Sequence, residues 1–110
     1  MKNLRKFDYR TPRFDLSLRV KILAPWGPIE ARCCDLSEQG MGAELETGLM
    51  IGSEVSVVFW SAEDSHPVQV RARVSYAEGR RHGFVFLFTS AEERQAVTTY
   101  LTTLFPSHRR

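Results

Sequence analysis

A chain of 110 residues with 43% apolar and 25% charged residues has the size and make-up of one soluble globular domain. It can bury a core without metal or disulfide staples, and it has little spare length for a separate substrate domain. The formal net charge of +2 is too small to imply nucleic-acid binding, and no run approaches the roughly 18–20 apolar residues that span a bilayer.

The charge is unevenly spread. Residues 1–21 carry seven basic groups (Lys2, Arg5, Lys6, Arg10, Arg13, Arg19 and Lys21) against Asp8 and Asp15, a net of +5. Residues 22–110 carry eight basic and eleven acidic groups, a net of −3. A basic arm on a mildly acidic body either meets an anion or is a solvated tail. The arm lacks the apolar segment of a secretory signal, so a cytoplasmic protein is expected, with a membrane-bound partner still compatible. The expected organisation is a basic arm over 1–16, a folded body over 17–106 and a short tail over 107–110.

After the arm the chain reads as strands. Leu18, Val20 and Ile22 alternate with Ser17, Arg19 and Lys21, the period of a half-buried strand. Residues 24–28 (APWGP) form a turn by their Pro and Gly content. A second strand covers about 29–36, residues 37–40 make a tight turn, and a third strand covers about 41–46 with Met41, Ala43 and Leu45 on one face. The fourth covers about 53–60. The fifth, about 68–77, places Val68, Val70, Ala72, Val74 and Tyr76 on the inward face and Gln69, Arg71, Arg73 and Ser75 on the other. A turn at 78–81 leads to a sixth strand over 82–88 with Phe84, Phe86 and Phe88 inward. The period then becomes helical: Ser90 and Glu93 fit a capping box, and Val97, Tyr100, Leu101, Leu104 and Phe105 make one apolar stripe. Six short strands with tight turns predict a mainly β fold, an antiparallel barrel or sandwich, with the C-terminal helix packed on it.

Cys33 and Cys34 are adjacent and on a strand point to opposite faces, so they are expected to be reduced, one buried and one partly exposed. The three histidines are scattered, and no metal site is expected. Trp26 and Trp60 are expected to pack, and Arg71 and Arg73 to form a solvated ladder. Arg80 and Arg81 fall in a turn and receive no role.

Two segments carry possible chemistry. The arm holds Arg5, Lys6, Arg10 and Arg13 interleaved with Phe7 and Tyr9. Arginine presents a planar fork of donors suited to phosphate or to a purine edge, which lysine lacks. The second segment is Asp35-Leu36-Ser37-Glu38-Gln39-Gly40-Met41-Gly42. Asp35 and Ser37 are two apart at a strand end and should share a face, presenting a carboxylate and a hydroxyl outward, with Leu36 in the core. Gly40 is expected to supply backbone angles that other residues avoid. A carboxylate there can accept two N–H donors from a guanine-like edge; alternatively, Asp35 and Ser37 bond the backbone of their own turn.

Taken together, the two segments and the strand order resemble the PilZ domain, a bacterial receptor module for cyclic di-GMP. That family carries an RxxxR motif in an N-terminal switch loop and a [DN]xSxxG motif two to three dozen residues later. Asp35, Ser37 and Gly40 match the second motif in full, and Gly42 extends it. Arg10 matches the second arginine; the first falls on Lys6, with Arg5 just before it, so a strict RxxxR is absent. The His82-Gly83-Phe84-Val85-Phe86 segment is similar to the family's last strand.

The resemblance implies a six-stranded antiparallel β-barrel with a C-terminal α-helix that binds cyclic di-GMP on its outer surface. Arg10 and either Arg5 or Lys6 would hold phosphates and guanine faces, and Asp35, Ser37 and Gly40 would form the guanine-edge site. It implies a non-catalytic sensor whose arm is ordered by ligand and which signals to an unidentified downstream bacterial protein, with no cofactor and no direct membrane insertion. The alternative is a ligand-independent adaptor of the same fold. A single-stranded nucleic-acid binder would need a basic groove with exposed aromatics, against the acidic body. An enzyme is not expected, because the chain has no nucleophile–base pair, metal cluster or phosphate-binding loop.

Overall fold

The computed structural model describes residues 14–60 and 67–105. Six antiparallel strands, β1 (Phe14–Ala24), β2 (Gly27–Leu36), β3 (Gly40–Leu45), β4 (Glu54–Phe59), β5 (Val68–Glu78) and β6 (Arg81–Phe86), precede one helix, α1 (Ala91–Leu104). The strands close into a barrel in the order β1-β2-β3-β6-β5-β4, with β1 pairing β4 across the seam. Closure leaves no free edge among these six strands.

The alternating apolar residues of each strand fill the interior. Val20, Ile22, Leu36, Met41, Phe59, Val74 and Phe84 are fully buried. Strand β1 begins at Phe14, within the stretch read from sequence as arm, and its register sets Phe14 opposite Leu36. The β1–β2 turn is only two residues long, because β1 runs to Ala24 and β2 starts at Gly27 with φ +143°. Cys33 is buried and Cys34 partly exposed, both as free thiols.

Helix α1 starts at the Ser90 cap, whose hydroxyl accepts from the Glu93 N–H at 3.1 Å. The Glu93 carboxylate accepts from the N–H of Thr89 at 2.8 Å, one residue earlier than the cap itself. Val97, Tyr100 and Leu101 are buried, and Leu104 and Phe105 pack against the core. The Tyr100 hydroxyl donates to the Trp60 carbonyl at 2.8 Å, tying the helix to the end of β4.

His82 fastens the segment between β3 and β4. Its Nε2 accepts from the Leu49 N–H at 3.1 Å, so Nδ1 carries the proton and donates to the Arg80 carbonyl at 3.1 Å. Two packing expectations are corrected. Trp26 is 62% exposed at the β1–β2 turn, and Trp60 is 43% exposed with the Lys21 ammonium 5.8 Å from its ring centroid. Both sit where strands end, outside the barrel core. Arg71 and Arg73 both reach Glu54, at 2.7 and 3.5 Å, the exposed ladder expected of that face.

Candidate functional site on the outer barrel wall

Asp35, Ser37 and Gly40 fall at the end of β2, in the turn that follows and at the start of β3. Leu36 points into the core, and the Ser37 N–H donates to the Gly40 carbonyl at 2.9 Å. The Ser37 hydroxyl accepts from the N–H groups of Gln39 and Gly40 at 3.1 and 3.3 Å, and the residue is 1% exposed. This corrects the expected outward hydroxyl: Ser37 satisfies the buried backbone of its own turn. Its side chain shapes the corner and does not present itself to solvent.

Gly40 is also required for a different reason from the one expected. Its φ is not positive; glycines 27, 52 and 79 alone among the described residues have that geometry. Instead the backbone of Gly40 runs against β6, where a Cβ would collide with the Phe84 carbonyl oxygen. Close approach, not backbone angle, demands glycine.

Asp35 is 9% exposed and sits beside a β-bulge between Cys33 and Asp35 in the β2–β3 pairing. Register then lays out a row across four strands: Asp35 on β2, Gly42 on β3, Gly83 on β6 and Tyr76 on β5. Two adjacent glycines make a flat floor with a carboxylate at one side and an aromatic ring at the other. The next row, Arg32, Glu44, Arg81 and Glu78, alternates in charge. Arg32 bonds Glu44 at 2.5 Å and holds its carboxyl below the usual range. Tyr76 donates to Glu78 at 3.0 Å, which raises the phenol above its ordinary value. Arg81 takes neither acid as its hydrogen-bond partner. It reaches across β3, where Gly42 leaves no side chain in the way, and its Nη2 donates to Asp35 Oδ2 at 3.2 Å.

Two members of this face were missed from sequence. Tyr76 was assigned inward by alternation, but a bulge between Val74 and Tyr76 inserts Ser75 as an extra residue and turns Tyr76 outward beside Gly83. Arg81 was placed in a turn, whereas the hairpin needs only residues 79 and 80, with Gly79 at φ +61°, and Arg81 is the first residue of β6. A two-residue Gly-containing loop between alternating strands was the available signal for the second; nothing in the local pattern marks the bulge.

A shallow groove continues from this face over β2, bordered by Arg19, Arg32, Glu44, Glu46 and Arg80. Arg5, Lys6, Arg10 and Arg13 lie outside the described residues. The point where they join the barrel is nonetheless defined. Phe14 pairs with Leu36 and Asp15 with Asp35, so β1 begins alongside the Asp35–Gly40 corner.

The fold is thus a closed six-stranded antiparallel barrel with a C-terminal helix and a polar, glycine-floored outer wall. The family model for the PilZ domain matches residues 7–103, and the chain belongs to that family. Solved structures agree on the fold. The PilZ domain of CeSA from a cellulose-synthesizing bacterium superposes with a TM-score of 0.74 at 18% identity, over 84% of this chain and 97% of that one. The Bacillus subtilis inhibitor of motility MotI/DgrA gives 0.68 at 21% identity, over 94% of this chain and 54% of that one. YcgR from Escherichia coli, solved in complex with c-di-GMP, gives 0.68 at 20% identity, over 89% of this chain and 46% of that one. The chain therefore spans about half the length of the latter two. No curated protein matches it. Among the described residues, no helix is long and apolar enough to cross a membrane.

Proposed function

We propose that this chain is a non-catalytic receptor that binds cyclic di-GMP on the outer wall beside Asp35, with the basic arm closing over the ligand. The single observation that supports this reading is the Phe14–Leu36 pairing, which starts β1 at the same corner that holds Asp35. Arg10 is four residues from Phe14, a span of about 13 Å when extended at roughly 3.3 Å per residue, enough to reach across the glycine floor. Arg10 and either Arg5 or Lys6 hold phosphates and guanine faces, Asp35 accepts from a guanine edge, and Ser37 and Gly40 keep the corner that aims it.

Each charge-assisted hydrogen bond from arginine contributes about 1.5–3 kcal/mol, against roughly 1–2 kcal/mol for each backbone residue the ligand orders. Affinity in the micromolar range follows, near −8 kcal/mol. Closure of the arm creates a new surface for a downstream bacterial protein in the cytoplasm. A second reading, an adaptor that works without ligand, draws on two observations: lysine stands at the first position of the arginine motif, and Arg81 already bonds Asp35.

Thermal melting with and without cyclic di-GMP separates the two, since a ligand of the native state raises the midpoint. Calorimetry of Arg10→Ala then tests the arm, with affinity expected to fall at least about tenfold, the loss of roughly 1.4 kcal/mol. An unchanged midpoint in the wild-type protein favours the adaptor.

A further inference from the structure

Asp35 and Arg81 place an acceptor and a donor side by side on the glycine floor. The carboxylate is nearly buried, whereas the Arg81 side chain is 46% exposed. A guanidinium has five N–H donors in a planar fork, and the contact with Asp35 engages Nη2. The two acids flanking Arg81 in register are engaged elsewhere, Glu44 by Arg32 and Glu78 by Tyr76. The fork is thus oriented by Asp35 and still presents N–H groups to whatever lies on the floor.

We propose that Arg81 is a specificity-determining residue, which together with Asp35 reads a guanine base and rejects adenine. This rests on the cyclic di-GMP reading above and adds a residue that neither sequence motif contains. Around its edge guanine presents the donors N2–H and N1–H, then the acceptors O6 and N7. A carboxylate matches the first pair and an arginine fork the second. The Asp35–Arg81 contact sets those complements next to each other, in the order a single guanine edge requires. Adenine shares only the N7 acceptor: its N1 lone pair faces the carboxylate, which needs a donor, and its N6–H replaces O6, where the fork needs an acceptor. The carboxylate then meets an acceptor and one arm of the fork meets a donor, so both paired contacts that guanine allows are broken.

The test is calorimetry of the full chain with cyclic di-GMP and cyclic di-AMP, for wild type, Arg81→Ala and Arg81→Lys. Wild type is expected to prefer cyclic di-GMP. Both variants should lose about tenfold in cyclic di-GMP affinity, corresponding to about 1.4 kcal/mol, with no loss for cyclic di-AMP. Lysine keeps the charge without the fork, so equal losses in the two variants identify edge reading. Melting temperatures close to wild type are expected, because a part-exposed ion pair adds little stability.

The proposal is overturned if Arg81→Ala binds cyclic di-GMP as tightly as wild type or more tightly, which would make Arg81 a lid on Asp35. It is also overturned if Arg81→Lys keeps full affinity, or if both ligands weaken equally, since either result reduces Arg81 to a charge. Wild-type protein that binds no cyclic di-GMP would overturn the receptor reading itself; a failure confined to Arg81 leaves wild-type binding intact.

Discussion

The Asp35 carboxylate lies on the open backbone of Gly42: a Cβ at position 42 would stand 2.6 Å from Asp35 Oδ2 and 3.1 Å from its Cγ. The close contact falls on the end of a side chain that can swing away, not on fixed backbone. Gly42→Ala should therefore fold, with stability lowered by no more than about 1 kcal/mol, and should move the carboxylate off the floor. Cyclic di-GMP affinity is expected to fall about tenfold or more, an effect of about 1.4 kcal/mol or above. Paired melting and calorimetry check this, and a variant that binds normally would place the ligand away from Asp35.

Gly40 gives the opposite balance. A Cβ there meets the Phe84 carbonyl carbon at 3.2 Å and Val85 Cα at 3.3 Å, besides its collision with the Phe84 oxygen. All three atoms are backbone in the paired strand, so Gly40→Ala must part β3 from β6. We expect a loss of about 1–3 kcal/mol, the range of overpacked sites, measurable by urea denaturation.

Two buried serines should respond differently to alanine. Ser37 accepts two backbone N–H groups, and Ser37→Ala leaves them without a partner, at a cost of about 1–3 kcal/mol. Ser75 is buried in the β5 bulge with no partner for its hydroxyl. Removing an unsatisfied polar group relieves a desolvation cost, so Ser75→Ala should leave the melting temperature unchanged or raise it. A drop for Ser75→Ala comparable to that for Ser37→Ala would contradict this assignment.

Tyr100 links the helix to the barrel and carries a pH dependence. Burial pushes its phenol up from 10.0 to about 12. Below pH 10 it is neutral in both folded and unfolded chains, and its contribution is fully present. Between pH 10 and 12 the unfolded chain ionises first, so stability falls across that window. Tyr100→Phe should lose about 1 kcal/mol near neutrality through the missing bond to the Trp60 carbonyl. Denaturation at several alkaline pH values should also show a shallower fall for the variant than for wild type.

Much of the architecture was legible because it rests on period and punctuation. Alternation in β1 and β5, the Ser90 cap and the stripe from Val97 to Phe105 each reflect a local rule that tertiary contacts reinforce. The site was less legible because it depends on register. Asp35 and Ser37 were visible as a pair, but only the fold shows that the Ser37 hydroxyl turns into its own corner while Asp35 meets an arginine 46 residues away. Tyr76 reaches the outer wall through one extra residue, Ser75, which no alternation rule marks. Gly40 and Gly42 were readable as special positions, yet the reasons lie in β6 and in the Asp35 carboxylate, both invisible to a local reading.

The central claim is that cyclic di-GMP sits on the glycine floor beside Asp35. Its most direct test is a two-dimensional NMR titration of the isotope-labelled chain with cyclic di-GMP. The predicted result is amide shifts concentrated at residues 35–42, Tyr76 and residues 81–83, and in the arm before Phe14. Shifts confined to α1 or to β4, or no shifts at saturating ligand, would contradict it.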